Sequence, residues 1–359
     1  MKVALLTKYG DLAASTRQRF NQYGPFLEGE GFELTPHPLL DDAYLNRLYK
    51  GSGRDYRHVS SRYFSRLMWL LSNPDTDTIW LHCELFPFLP GLIERLARWP
   101  RKPVIFDYDD AIFHNYDQHK SGLVRHFLGR KLQSTIGVAK VVTAGNAYLA
   151  DYARAFCPRV EIVPTVVDFN AYTRRPHPFS ENAPKIGWIG TPSTWTDYMA
   201  PMMPLLTQGV EAAGARMTAV GAGRAAAAHP LLDNLPWTEE PEVARIHEMD
   251  IGIMPLTDTP WARGKCGYKL IQYMACGIPV IASPVGVNAE IVEHGVNGFL
   301  ASSDAEWADA LQIMLRDPAL RARMGEAGRR KVERDYSLQV WGTRVAQMLR
   351  DVATKGRSR

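Results

Sequence analysis

Short runs of β-branched and aliphatic residues recur along the chain, separated by longer stretches whose apolar positions fall three and four apart. The first pattern is that of strands covered on both faces, and the second that of helices with one buried stripe. Their alternation predicts parallel sheets joined by crossover helices. In the first half the strands are expected at residues 2–6, 32–36, 78–82, 104–107, 140–143 and 161–164. In the second they are expected at 185–189, 216–220, 251–255, 279–282 and 298–301. The pattern breaks between residues 166 and 183, where Arg174-Arg-Pro-His-Pro interrupts it. Two doubly wound α/β domains follow, one over residues 1–167 and one over 168–337, with a closing helix at about 338–351 and a disordered tail from Thr354.

Composition narrows this picture. A chain of 359 residues with 46% hydrophobic and 22% charged positions is globular and too long for one ordinary core. The start, MKVALLT, runs straight into a strand, and no apolar run reaches bilayer-spanning length, so the expected location is cytoplasmic. Cys83, Cys157, Cys266 and Cys276 form no C-x-x-C pair and are expected as reduced thiols rather than a zinc site. The net charge of +4 is too small for a polyanion binder, and no nucleic-acid partner is expected. Charge is lopsided only between residues 46 and 71, where Arg47, Lys50, Arg54, Arg57, Arg62 and Arg66 face a single acid, Asp55. From Arg62 the sequence RYFSRLMWLL reads in two ways. It is an interfacial helix with Arg57, Arg62 and Arg66 on anionic headgroups, or a crossover helix packing Phe64, Leu67, Met68 and Leu71 onto the first sheet.

The densest chemistry lies from Gly264 to Gly286, GKCGYKLIQYMACGIPVIASPVG. A glycine-bearing loop with Gly267 and Tyr268 opens a helix whose first turn carries Lys265 and Lys269, four apart. Free backbone N–H groups, the helix dipole and two ammonium groups favour an anion there, and diphosphate is the expected one. Other candidates sit after strands, where ligands of parallel sheets bind. Gly190, Thr191 and Ser193 follow the strand at 185–189, the glycine for close backbone approach and the hydroxyls as donors. Asp107, Asp109 and Asp110 crowd another strand end; Asp109 and Asp110 either contact hydroxyls in catalysis or cap the next helix. An Asp-x-Asp metal reading is set aside because no further ligands complete a shell, so no metal is expected. His82, Glu84 and His114 also lie at strand ends, while Gly10, Arg17 and Arg19 follow the first strand without forming a dinucleotide fingerprint.

The segment from Gly264, with DIGIMPL at 250–256, EIVEHGVNGFL at 290–300, DPALRARMGEAG at 317–328 and Tyr336-Ser337, resembles the donor-binding half of the family 4 glycosyltransferases of the GT-B fold. KIGWIGTPST at 185–194 and FDYDDAIF at 106–113 are similar to a bacterial subgroup, whereas residues 40–75 resemble nothing identifiable. The resemblance implies two Rossmann-like domains facing a cleft, with the last helix returning to the first. It implies a retaining, metal-independent transfer from a nucleoside-diphosphate sugar to a glycan, lipid-linked glycan or other hydroxyl acceptor, without a cofactor. Cell-surface polysaccharide or lipopolysaccharide synthesis is the implied setting, and the basic stretch at 57–71 adds an anionic membrane surface as an expected partner. Trp237 falls where the family places the base, and Gly10, Arg17 and His114 fall on the acceptor side. The chain departs from the family in three ways. The usual glutamate pair aligns with Gly264 and Gln272, Thr191 stands in place of an arginine, and Thr194, Trp195 and Thr196 occupy the region of a lysine. Lys265 and Lys269 are expected to replace the lost cations, and Gln272 to meet ribose hydroxyls. A binding protein that holds a nucleotide sugar without turnover, and a sugar-nucleotide epimerase, stay as alternatives.

Overall fold

The computed structural model describes residues 1–49, 53, 55–72, 74–98 and 101–357. The chain forms two compact units: Met1–Thr165 with Gly264–Cys266 and Trp341–Arg359, and Val166–Arg263 with Gly267–Val340.

Each unit is built on six parallel strands. In the first these are β1 (Lys2–Leu6), β2 (Glu33–Pro36), β3 (Thr78–His82), β4 (Val104–Tyr108), β5 (Val141–Ala144) and β6 (Val160–Ile162), in the order β2-β1-β3-β4-β5-β6. In the second they are β7 (Lys185–Ile189), β8 (Arg216–Val220), β9 (Leu232–Leu235), β10 (Ile251–Met254), β11 (Val280–Ala282) and β12 (Gly298–Leu300), in the order β12-β11-β10-β7-β8-β9. Every residue of β3, β4, β10 and β11 is buried, which is why these strands read as unbroken apolar runs. Strand order reverses between β1 and β3 and between β7 and β10, the switch points at which parallel sheets bind ligands. All eleven expected strands are present within a residue or two of their expected ends. β9 was not expected. It is an edge strand paired only to β8, and its half-exposed sequence LDNL carries no apolar alternation.

Polar groups inside the first unit fix its strand ends. Arg19 and Asp107 are 2% and 0% exposed, with Arg19 Nε 3.0 Å from Asp107 Oδ2 and Nη2 2.5 Å from Oδ1. Arg19 Nη1 also donates to the Val163 carbonyl at 2.7 Å. Arg19, a candidate for a ligand-facing role, is thus a strut. Glu94, fully buried against Lys131, accepts from the Leu85 and Phe86 amides at 2.8 and 3.0 Å and so holds the turn after β3.

The basic segment folds as the helix Tyr56–Leu71, started by Asp55, whose carboxylate accepts from the His58 amide at 3.1 Å. Its facing departs from the crossover reading at Phe64, Met68 and Leu71 and from the headgroup reading at Arg66, while Arg57 stays exposed. Phe64, Met68 and Leu71 are 64%, 49% and 40% exposed, whereas Arg66 is only 6% exposed and cannot rest on headgroups. Lys50 and Arg54 lie outside the described residues. The last helix, Leu338–Arg357, runs past the expected end at 351 and takes in Thr354 to Arg357 of the expected disordered tail; the final two residues lie outside the described ones. Its part within the first unit packs Gly342 on Phe26 and pairs Arg350 with Glu30 at 2.7 Å. The four cysteines are free and buried. Among the described residues, no helix is long and apolar enough to cross a membrane.

Candidate functional site

In the second unit the candidate residues gather where β7 and β8 end and the helix Tyr268–Ala275 begins. Gly190, at the end of β7, lies so close to Lys269 that a Cβ there would stand 2.9 Å from Lys269 Cε and 2.5 Å from Trp188 Cζ2. Any side chain at residue 190 would displace the lysine. The Lys269 ammonium sits 5.7 Å from the Trp188 ring centroid, so an aromatic face supports the cation. Gly267 is the N-cap of the helix, with φ +65°. The Leu270 and Ile271 amides both donate back to the Gly267 carbonyl, at 2.9 and 3.3 Å, which closes the first turn. Lys269, in the first turn of this helix, therefore lies beside the switch point, where its ammonium and the helix dipole both favour an oxyanion.

The hydroxyls after Gly190 are partly committed. Thr191 and Thr194 form a reciprocal cap, Thr191 N donating to Thr194 Oγ1 at 3.1 Å, and Thr191 Oγ1 lies 3.0 Å from Ser193 Oγ. Both Thr191 and Ser193 stay exposed. Trp195 is a core residue at 2% exposure, opening a π-helical turn, Trp195–Met199.

Gln272 stands in a network that sequence reasoning did not find. Its Nε2 donates to Tyr172 Oη at 2.8 Å and to Glu242 Oε1 at 2.7 Å. Glu242 Oε1 also accepts from Tyr172 Oη at 2.5 Å, and Oε2 accepts from Trp237 Nε1 at 2.6 Å. Tyr268 Oη lies 3.3 Å from Tyr172 Oη. Burial, then the neighbouring Tyr268 and Glu242, pushes the Tyr172 phenol well above its ordinary value, so it stays a donor. Because Glu242 only accepts, it fixes the Gln272 amide with its nitrogen toward that carboxylate. The one sequence signal for Glu242, an acid following Glu239-Glu240-Pro, reads simply as a helix start. Trp237 is half-buried, with its indole N–H committed to that carboxylate.

In the first unit the acid cluster is divided among partners. Asp107 takes Arg19, and Asp110 accepts from Lys265 Nζ at 2.9 Å. Asp109 Oδ1 lies 3.6 Å from His82 Nε2. Burial pushes the Asp109 carboxyl up, but His82, then Arg19 and Lys265, outweigh it and hold the group below its ordinary value. The expected capping role is not what is seen: the helix His114–Asp117 starts at Phe113 with no side-chain cap. Lys265, expected beside Lys269, belongs to the first unit with its ammonium on Asp110. Gly264 is closed to any side chain, since a Cβ there would lie 2.5 Å from Ala111 Cβ and 2.8 Å from the Ala111 backbone nitrogen.

The remaining strand-end residues are held by their surroundings. His114 lies 2.8 Å from Asp117 through Nδ1 and 2.8 Å from Tyr148 Oη through Nε2, so neither ring nitrogen is left to face a ligand as expected. Glu84, pushed up by burial despite Lys8 and Lys131, accepts from Tyr116 Oη at 2.8 Å. Arg17 donates to the Asp11 carbonyl at 2.8 Å, and Gly10 packs on Asp42. Among the described residues, three potential metal donors come together, His82, Cys83 and Asp109, their atoms within 4.8 Å of one another. Burial pushes the Cys83 thiol well above its ordinary value, so as it stands the group offers a protonated sulfur rather than a thiolate.

The fold defines the class. HepE of Anabaena, in complex with UDP-glucose, superimposes with a TM-score of 0.71 at 16% identity, covering 98% of this chain and 100% of that one. WaaG, a glycosyltransferase involved in lipopolysaccharide biosynthesis, does so with a TM-score of 0.69 at 11% identity, covering 96% and 99%. The architecture is that of the GT-B glycosyltransferases. Residues 183–317 match the family model for glycosyl transferases group 1. The D-inositol 3-phosphate glycosyltransferase of Pseudarthrobacter chlorophenolicus is 33% identical over 100 residues, 27% of this chain and 23% of that protein. A GDP-mannose-dependent phosphatidylinositol monomannoside mannosyltransferase of Corynebacterium glutamicum is 37% identical over 84 residues, 23% of this chain and 22% of that protein. The matched segments thus span under a quarter of these relatives' length. Over residues 183–317 the chain is thus similar to the group 1 glycosyl transferases.

Proposed function

We propose that this chain is a retaining glycosyltransferase whose second unit binds a nucleoside-diphosphate sugar and whose first unit receives a hydroxyl acceptor. The observation that supports it most is Lys269, lodged against Gly190 in the first turn of the helix Tyr268–Ala275. A departing diphosphate needs positive charge, and the Lys269 ammonium at the helix start supplies it, with no metal in the proposed reaction. Trp237 offers a partly exposed ring to the base, and Gln272 an acceptor oxygen to ribose. Asp109 and Asp110 mark the acceptor side at the carboxyl end of β4. A charged hydrogen bond contributes roughly 1.5–3 kcal/mol. Lys269→Ala is therefore expected to weaken nucleoside-diphosphate binding about tenfold or more by titration calorimetry. Unchanged affinity in the folded variant removes Lys269 from the site. Turnover of a panel of UDP and GDP sugars, with the anomer of the product read by NMR, tests transfer and its stereochemistry.

Gly264 favours a second reading, in which the donor is held without turnover. The position where the family has its first carboxylate is sterically shut. Slow release of nucleoside diphosphate without acceptor, abolished by Lys269→Ala, speaks for a working enzyme; tight binding with no release from any sugar speaks for the second reading.

The acceptor side also fits a peripheral membrane contact, now through apolar residues rather than arginines. Phe64, Met68 and Leu71 share one exposed face of the helix Tyr56–Leu71. Burying one such phenylalanine contributes roughly 1.5–3 kcal/mol. Phe64→Glu is thus expected to lower retention on phospholipid vesicles by about tenfold. Equal sedimentation of both proteins rules out that face as the contact.

A further inference from the structure

Beneath the same helix, beside the carboxyl ends of β1 and β2, lies a cavity of about 180 Å³ lined by Pro36, His37, Pro38, Arg62, Ser65, Arg66 and Trp69. A single water takes up about 30 Å³, so this space admits a group of several heavy atoms. Its charge is one-sided. Arg66, 6% exposed, donates through Nη1 to the Leu85 carbonyl at 3.4 Å and through Nη2 to the carbonyls of Thr7, at 2.8 Å, and His37. Arg62 donates to the Leu39 carbonyl at 3.3 Å and the Pro38 carbonyl at 2.8 Å. These partners are neutral, and neither guanidinium forms an ion pair among the described residues. The acids in reach are committed elsewhere, Glu94 to Lys131 and Asp41 to His58.

A guanidinium carries five N–H donors. Three of Arg66's and two of Arg62's are used, which leaves five between them, with the Ser65 hydroxyl also on the lining. Burial is the main cause that pushes Arg66 down, to about 9, with the charge of Glu94 opposing it and that of Arg62 adding to it, so Arg66 stays charged at neutral pH with no carboxylate in direct contact among the described residues. Burial, then Arg66, also holds the His37 imidazole below its ordinary value, which keeps it neutral and able to accept or donate. Carbonyl oxygens fix the two cations in place yet leave their charge uncancelled. Such a pair preorganises planar forks for an oxyanion with several acceptor oxygens.

We propose that this cavity binds a phosphoryl group through Arg62, Arg66 and Ser65. The inference deepens the proposed function, on which it rests for its context: the ligand is the phosphate of the acceptor, or free phosphate held beside it. Ser65 is exposed, so a carboxylate can be introduced there without disturbing the core.

The test is thermal unfolding of the full chain against inorganic phosphate, with chloride at equal ionic strength as the control. A saturable rise in melting temperature is expected for the wild type, with apparent affinity falling at least tenfold in both Ser65→Glu and Arg62→Gln. UDP titrated into the same samples should bind all three proteins alike, since the donor residues are untouched; a failed phosphate result beside intact UDP binding sinks this site and leaves the proposed function standing. Phosphatidylcholine vesicles with and without phosphatidic acid separate the sources. Phosphatidic-acid-dependent retention that Ser65→Glu abolishes and free phosphate competes away identifies a lipid headgroup, and phosphate binding without such retention identifies a soluble phosphate. No wild-type response beyond chloride, or the same response in Ser65→Glu and Arg62→Gln, overturns the proposal.

Discussion

Asp107→Ala is expected to lower the melting temperature of the first unit by roughly 6–20 °C. Removing one partner of a buried ion pair costs about 3–5 kcal/mol, because the other charge is left without compensation. A unit of this size loses roughly 2–4 °C per kcal/mol. Arg19 is 2% exposed, and the Val163 carbonyl to which it also donates cannot neutralise it. Burial works against the charged guanidinium, and it is Asp107 that holds Arg19 above its ordinary value. The double variant Arg19→Met/Asp107→Leu replaces the pair by apolar groups and is expected to recover most of the loss. Calorimetric melting of both variants checks this. If the double variant melts as low as the single one, the cost lies in packing rather than in the orphaned charge.

The second large effect is a charge swap at Gln272. Gln272→Glu restores the residue that the family resemblance calls for, yet here it is expected to weaken nucleoside-diphosphate binding by about tenfold or more. The new carboxylate would stand where Nε2 now donates to Glu242 at 2.7 Å, and two carboxylates at that distance share a proton rather than both ionising. One member of the pair then has a folded pKa above its unfolded value. Its destabilisation is present above that raised pKa and fades as pH falls toward the ordinary carboxylate range, so the variant should gain relative stability in acid. Adding Glu242→Gln returns a carboxylate facing an amide, with the two exchanged, and should restore binding. Affinities of the four proteins form a cycle whose coupling reads the contact directly. Additive losses in the double variant discard the positioning role of Glu242.

That pair shows where sequence reasoning reaches and where it stops. Strand positions were legible because β3, β4, β10 and β11 are buried on both faces and so are written in continuous apolar letters. β9 was not, since an edge strand with half-exposed residues needs no such run. Gly190 and Lys269 could be named separately from their strand end and helix start, but only coordinates show one packed on the other. Glu242 was invisible because its partners Tyr172 and Gln272 lie 70 and 30 residues away. The helix Tyr56–Leu71 was misread for a physical reason. Arginines are assigned to water by default, and nothing in RYFSRLMWLL announces that the carbonyls of Thr7, His37 and Leu85 would draw Arg66 inward and turn Phe64 and Met68 out.

Gly264 has a bearing on ancestry. If a forebear carried a glutamate there, its loss let the loop settle onto Ala111, and the space it held is now filled by backbone as well as by a methyl group. Trimming Ala111 to glycine would clear the methyl but not the nitrogen, so no single substitution, nor that obvious pair, reopens the position. Returning a side chain to residue 264 therefore requires the backbone at Ala111 to move as well.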